Sequence, residues 1–283
     1  MTPGEWLQRH PYLSDVARFS SRVDAALAKL PAADSSIPVF DDYADEHRAG
    51  VPLLQSSTAF VDLEPAGALA IALVRTLASE PIEDRPGNDT RALEVELRGD
   101  AEAPRRIAAW LLGEDAWMPG SPGLLRFLSW AAAARHLCPV VAAFASWRGE
   151  ERWQRGYCPT CGSPPAMAQL VGRDPGRRRL LSCGLCRTRW QFSRTACPFC
   201  EADAQRLASL TIQGEGGLRL DHCDSCRAYL KTYDGEGAEA LLLSDWSSLH
   251  LDVLARDRGW KRAAASLYAL PEDCPAAVGV RAV

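Results

Sequence analysis

The sequence predicts an α+β protein: a helical N-terminal domain, two tandem modules of four cysteines each, and a C-terminal helix. Three observations carry this reading. Residues 1–150 hold one cysteine and place Ala and Leu at helical spacing. Residues 151–236 hold eight of the ten cysteines, all in C-x-x-C pairs, among turn formers and short alternating stretches. Residues 237–283 open again on a helical pattern. With 283 residues, 47% hydrophobic and 24% charged, the composition is that of an ordinary globular protein with room for about two domains.

In the N-terminal part, Leu69, Leu73 and Leu77 recur every four residues, with Ala70 and Val74 beside them. Pro104 can open a helix carrying Ile107, Trp110 and Leu111 on one face. Pro119, Gly120, Pro122 and Gly123 mark a loop before the next helical stretch. The most apolar segment, 123–147, is interrupted by Arg126, Arg135, His136 and Pro139. It falls short of the ~18 uncharged residues that a spanning helix needs, so it reads as buried helices and no membrane partner is expected.

The four pairs are Cys158/Cys161, Cys183/Cys186, Cys197/Cys200 and Cys223/Cys226. They form a repeat. The first and third pairs read CPTC and CPFC, and the second and fourth, CGLC and CDSC, lack proline. The spacing defines modules over 151–194 and 195–236, followed by a C-terminal helix and tail over 237–283. Two residues between cysteines let one tight turn aim both sulfurs at a single ion, and two such turns complete a tetrahedron of thiolates. Four thiolates select zinc or iron. A module of this size buries little apolar surface, and a bound ion supplies the missing stability, on the order of 10 kcal/mol in zinc peptides. The architectural reading is a pair of zinc-ribbon-type modules. Pairing the first turn with the third and the second with the fourth is less local but leaves the same ligands.

Short strands follow the second and fourth pairs, where Thr188, Trp190 and Phe192, and then Tyr229, Lys231 and Tyr233, share one parity. Further on, Trp246, Leu249, Val253 and Trp260 lie along one helical stripe.

Charge is uneven. Residues 151–234 hold 13 Arg and Lys against 8 Asp and Glu, while the whole chain carries −4. That excludes holding nucleic acid by bulk positive charge. The local surplus, including Arg173, Arg177, Arg178, Arg179, Arg187, Arg189 and Arg194, can offset the charge of two metal–thiolate centres or form a solvated face. Two competing functions remain. A thiol–disulfide protein would place C-x-x-C after a strand and at the start of a helix. A zinc-ribbon nucleic-acid module would rely on Arg177–Arg179. The opening MTPGEWLQRH has no basic segment followed by an apolar one, so a reducing cytoplasm is expected.

The remaining candidates are plainer. His222 adjoins Cys223, but four cysteines already complete each site. His10, His47, His136 and His250 are scattered and read as ordinary hydrogen-bonded histidines. Cys138 reads as a buried thiol, and Cys274 is unpaired in the tail. Asp41, Asp42, Asp45 and Glu46 read as a solvated helix start. There is no G-x-S-x-G, phosphate-binding glycine loop or H-E-x-x-H, and no enzyme activity is expected.

Specific segments resemble the formate dehydrogenase accessory protein family, FdhE. They are CPTCGSPP at 158, LLSCGLCRTRWQFSRTACPFC at 180–200 and DHCDSCRAYLKTYD at 221–234. FDDYADEHRAGVPLLQSS at 40–57 is similar to the family's N-terminal segment, with Gly50–Leu54 as its core, and SDWSSLHLDVLARDRGW at 244–260 resembles its C-terminal helix. The resemblance implies an all-helical N-terminal domain followed by two rubredoxin-like modules. It implies iron in place of the zinc that spacing favours, at Cys158, Cys161, Cys183, Cys186, Cys197, Cys200, Cys223 and Cys226. It also implies a cytoplasmic, non-enzymatic maturation factor that contacts the catalytic subunit of formate dehydrogenase. Arg187 stands where the family often has an acidic residue, and SLYALPEDC at 266–274 replaces an Asn-Pro-containing tail.

Overall fold

The structure is a computed structural model that describes residues 1–31, 35–81, 85–149, 153–173, 175–264 and 266–268. Cys274 and the tail beyond Tyr268 lie outside the described residues. The chain is α+β, and it forms two compact units.

One unit, built from 18–39, 59–144 and 267–283, is helical where described. Its principal helices are α4 (Glu64–Ala78), α5 (Arg85–Leu97) and α6 (Ala103–Leu112). Most of α7 (Pro122–Arg148) and the end of α2 (Ser14–Lys29) join them. Leu69, Leu73, Val74 and Leu77 of α4 are buried with Ile107 and Trp110 of α6 in one core, as their spacing predicts. Gly67 makes that packing close. A Cβ there would sit 2.1 Å from the carbonyl oxygen of Pro104. The apolar segment 123–147 forms one continuous helix rather than several, because Pro139 is accommodated inside α7. Burial of Leu137, Val140 and Phe144 outweighs the roughly 3 kcal/mol that an interior proline costs. Among the described residues, α7 alone is long and apolar enough to cross a membrane, and 67% of its most apolar window is buried inside the protein. Cys138 is exposed, not buried as expected, because its position on α7 turns it away from Leu137 and Val140.

The other unit comprises 1–17, 40–58 and 145–266. The compact units are therefore interleaved in sequence, unlike the divisions expected at 150, 194 and 236. The reason is visible in the backbone. Leu53 N–H and Leu54 N–H donate to the carbonyls of Pro159 and Thr160, both at 2.9 Å, tying an N-terminal loop to the first cysteine turn. Tyr157 Oη donates to the Gly50 carbonyl at 2.8 Å.

The cysteine region builds one sheet. Strands β1 (Met167–Val171), β2 (Arg178–Ser182) and β3 (Arg189–Phe192) form an antiparallel trio. Strands β4 (Leu207–Thr211), β5 (Leu218–Cys223) and β6 (Ala228–Asp234) form a second. Each trio has the order cysteine turn, two strands, cysteine turn, strand, so the sequence repeat is also a structural repeat. The trios join where β1 pairs parallel with β6, Met167 opposite Lys231 and Leu170 opposite Asp234. Both are central strands, which explains why β6 is buried along almost its whole length. The two-residue β7 (Lys261–Arg262) adds to β6.

Helices α1 (Pro3–Arg9), α8 (Glu239–Leu242) and α9 (Leu249–Asp257) contribute to the apolar core of the sheet, where Trp6, Leu242 and Leu251 meet Leu220 and Tyr233. Of the expected stripe, Trp246, Leu249 and Trp260 pack partly buried against this core, whereas Val253 does not. The helix starts at Leu249 and stops at Asp257, so Leu251 and Ala255 face the core and Val253 is 51% exposed. Lys231 on β6 is buried and bonds Asp245 at 2.6 Å and Asp252 at 2.9 Å, while Arg262 reaches the same two carboxylates at 2.7 and 2.8 Å. This cluster joins β6, α9 and β7.

Candidate metal centre

Each C-x-x-C pair forms the same turn. The residue just after the second cysteine adopts a left-handed backbone in all four: Gly162 (φ 78°), Arg187 (62°), Glu201 (60°) and Arg227 (62°). The last three are the only non-glycine residues with positive φ among the described residues. That conformation turns the chain back so that backbone N–H groups face sulfur. Thr160, Leu185 and Phe199 N–H each lie 3.4 Å from the first Sγ of their pair. Carbonyls close the turns, with Cys158 N–H donating to Ser163 and Cys183 N–H to Thr188, both at 2.9 Å. None of the pairs opens a helix, which is the placement thiol–disulfide exchange would require.

The pairing is local. Cys158, Cys161, Cys183 and Cys186 converge, as do Cys197, Cys200, Cys223 and Cys226. In the first cluster, Sγ atoms lie 3.5 Å apart for Cys158 and Cys186 and 3.4 Å for Cys161 and Cys183. In the second, Cys197 and Cys226 are 3.8 Å apart, and Cys200 and Cys223 are 3.7 Å apart. These separations are far longer than the ~2.05 Å of a disulfide. They approach the ~3.8 Å between sulfurs around a tetrahedral ion with ~2.3 Å bonds. None of the eight cysteines forms a disulfide.

The surroundings of the two clusters differ. All four sulfurs of the first are buried, and the buried hydroxyls of Thr160 and Thr188 meet at 2.8 Å between its turns. Thr188 Oγ1 also lies 3.2 Å from Cys186 Sγ. In the second cluster Cys200 is exposed and Cys226 half-buried. A cavity opens beside it, lined by Cys197, Phe199, Arg179, Arg219 and His222.

Burial and hydrogen bonding drive the thiols of each cluster in different directions. Burial pushes the Cys158 thiol well up, and hydrogen bonds with its neighbours raise Cys183. Those from Cys158, Cys183 and Cys186 hold Cys161 well down. Four sulfurs buried this close together cannot all carry charge cheaply by themselves. Burial raises Cys197 to about 12. Burial also works to raise Cys223, but the N–H groups of Cys226 and Ser225 outweigh it and bring this thiol to about 7. A divalent cation removes the conflict by stabilising all four thiolates together.

Three of the local arginines make internal contacts, while Arg173, Arg178 and Arg187 are exposed. Arg179 is buried, stacks on Phe192 with its Cζ 5.3 Å from the ring centroid, and donates to the carbonyls of Ser193 and Ala196. Burial lowers its pKa to about 10, while Asp221 and Cys197 oppose that shift. Arg177 pairs with Asp234, and Arg189 with Gln169. His222 stacks on Trp260 with ring centroids 4.1 Å apart and belongs to neither sulfur cluster. Glu46 of the acidic run anchors the loop at Ser56 and Ser57.

This geometry has known counterparts. Residues 157–194 match the family model described as "FdhE, central domain". The crystal structure of the FdhE protein from Pseudomonas aeruginosa superposes with a TM-score of 0.62 at 25% identity, covering 92% of this chain and 90% of that one. The chain thus resembles FdhE proteins in fold and in its first cysteine module. "Protein FdhE homolog" of Pseudomonas aeruginosa is 36% identical over 132 residues, 43% of this chain and 42% of that protein. "Protein FdhE" of Escherichia coli O1:K1 is 31% identical over 149 residues, 52% of this chain and 46% of that protein. The chain thus matches less than half the length of these curated relatives in sequence.

Two features of the structure were not visible in the cysteine spacing. One is the support of the first cysteine turn by Leu53 and Leu54, although the segment around them carries part of the family resemblance. The other is a cluster of His10, Glu215 and His250, whose residues lie far apart in sequence and leave no local signal.

Proposed function

We propose that this chain is a non-enzymatic accessory factor for maturation of a respiratory formate dehydrogenase, acting in the cytoplasm through contact with the catalytic subunit. The observation that carries the reading is the pair of duplicated four-sulfur clusters in a chain related to FdhE. In this reading Cys158, Cys161, Cys183 and Cys186 hold one iron ion, and Cys197, Cys200, Cys223 and Cys226 hold another. The donor set fits, because four converging thiols with backbone N–H groups on the sulfurs suit a tetrahedral thiolate ion. Bound iron would supply one-electron chemistry. The chain's own residues exclude water from the first cluster and leave one edge of the second open to a partner. In this reading 151–194 and 195–236 are the two metal modules, with the helical segment 1–150 and the C-terminal segment 237–283 flanking them in sequence.

Zinc is the second reading, since four thiolates from two C-x-x-C turns hold zinc as readily as iron. Nucleic acid is not the proposed partner, since Arg177 and Arg179 are engaged internally. The test is a pull-down with the formate dehydrogenase catalytic subunit from cells expressing both proteins, with elemental analysis of anaerobically purified chain. Enrichment of the subunit and iron at the cysteines are expected. No enrichment over a chain with Cys197, Cys200, Cys223 and Cys226 all changed to Ser rejects the partner, and zinc alone rejects iron.

A further inference from the structure

We propose that His10, Glu215 and His250 form a third metal site, independent of the cysteines, which takes a divalent transition-metal ion such as zinc. Three separate elements bring these residues together. His10 caps the C-terminus of α1, Glu215 lies in the β4–β5 turn beside Gly214, Gly216 and Gly217, and His250 lies in the first turn of α9. Their ligand atoms all fall within 4.8 Å of one another. All three are largely shielded, with side chains 5%, 12% and 16% exposed in that order.

The hydrogen bonding singles this cluster out. Nδ1 of His10 lies 3.0 Å from the carbonyl oxygen of Trp6. A carbonyl only accepts, so Nδ1 carries the proton, and in neutral His10 Nε2 is then a bare lone pair. That lone pair faces Glu215 Oε1 at 3.2 Å. Two acceptors at this distance require a positive charge, either a second proton on the ring or a cation held between them. His250 Nε2 approaches the other carboxylate oxygen at 2.7 Å, and its Nδ1 is buried without a hydrogen-bond partner. No partner at Nδ1 fixes its tautomer, and with the proton on Nδ1 the Nε2 lone pair can ligate a metal. Among the described residues, the ion-pair partners of Glu215 are these two histidines and no lysine or arginine.

An imidazole whose far N–H is fixed on a backbone carbonyl is the usual outer support of a metal-bound histidine. Two imidazoles and one carboxylate suit zinc or ferrous iron and leave coordination positions for water or a ligand. The rings are also held in place. His10 stacks between Trp6, at 3.9 Å, and His250, at 4.9 Å, and Tyr12 packs edge-on against both histidines at 5.9 Å.

The test titrates Co2+ into the reduced, metal-stripped full chain under anaerobic conditions. Thiolate-to-cobalt charge transfer reports the cysteine clusters, and equilibrium dialysis reports total ion. The expected result is one bound equivalent that adds no thiolate band and is lost in both Glu215→Gln and His250→Gln, with thiolate bands and far-ultraviolet circular dichroism unchanged. The result holds even if the cysteines take no metal, because the histidine-dependent equivalent is counted separately. Its persistence in both variants, or thiolate-band growth with every equivalent bound by the wild-type chain, overturns the proposal.

Discussion

Changing Cys158 to Ser removes one ligand from the wholly buried first cluster, and its consequence is set by the topology of the sheet. A structural four-sulfur ion contributes on the order of 10 kcal/mol to folding in isolated zinc modules. That is comparable to the entire stability of an ordinary domain, about 5–15 kcal/mol. Besides the Leu53 and Leu54 bonds to the first turn and the Thr160–Thr188 contact, the ion is the main tie between the two cysteine turns of β1 to β3. This strand trio should therefore lose its order. Loss should stop at the β1–β6 seam, because β6 keeps β5 on its other side and all four ligands of the second cluster lie outside β1–β3. The cysteine-bound metal should fall from two ions to one, read by elemental analysis together with thiolate charge transfer. Limited proteolysis should cut within 158–192 while 197–234 stays protected. Loss of both cysteine-bound ions would show that the sheet is one cooperative metal-folding unit and refute the argument from the seam. Full protection of 158–192 would show that the first ion contributes far less than zinc peptides suggest.

Two further perturbations probe the scaffold. Glu201→Gly places glycine at an exposed left-handed position (φ 60°), where a side chain costs about 1 kcal/mol or more. The variant should unfold at higher denaturant concentration, and an unchanged or lower midpoint contradicts the strain. Lys231→Met leaves buried Asp245 and Asp252 sharing Arg262 alone and should cost roughly 3–5 kcal/mol, measured by denaturant unfolding. Burial works to raise the Asp245 pKa, but Arg262 and Lys231 hold it far below the usual carboxylate range. A carboxylate depressed in this way stabilises the fold above its unfolded pKa of about 4 and loses that contribution as pH falls below it. The wild-type chain should therefore lose stability on acidification below about 4 more steeply than Lys231→Met.

The cysteine ligand set was legible because C-x-x-C spacing is a local property, and the local pairing of turns follows from short hairpins between them. Helices α4 and α6 were legible for a similar reason, since their apolar stripes repeat within each helix. The stripe around α9 holds except at Val253, because Trp246 and Trp260 lie beyond the two ends of the helix. Cys138 was misread because an apolar neighbourhood does not specify which side of a helix is buried.

Sequence alone determined which eight sulfurs are available and that they come as two copies of one motif, since chain connectivity fixes both. Only the tertiary structure decided that the copies share one sheet through β1 and β6, and that Leu53 and Leu54 brace the first cysteine turn. It also brought His10 and His250 to opposite oxygens of Glu215. Those outcomes depend on contacts between segments tens to hundreds of residues apart. Such contacts are selected by burial and hydrogen-bond satisfaction over the whole fold, and no short window of residues encodes them.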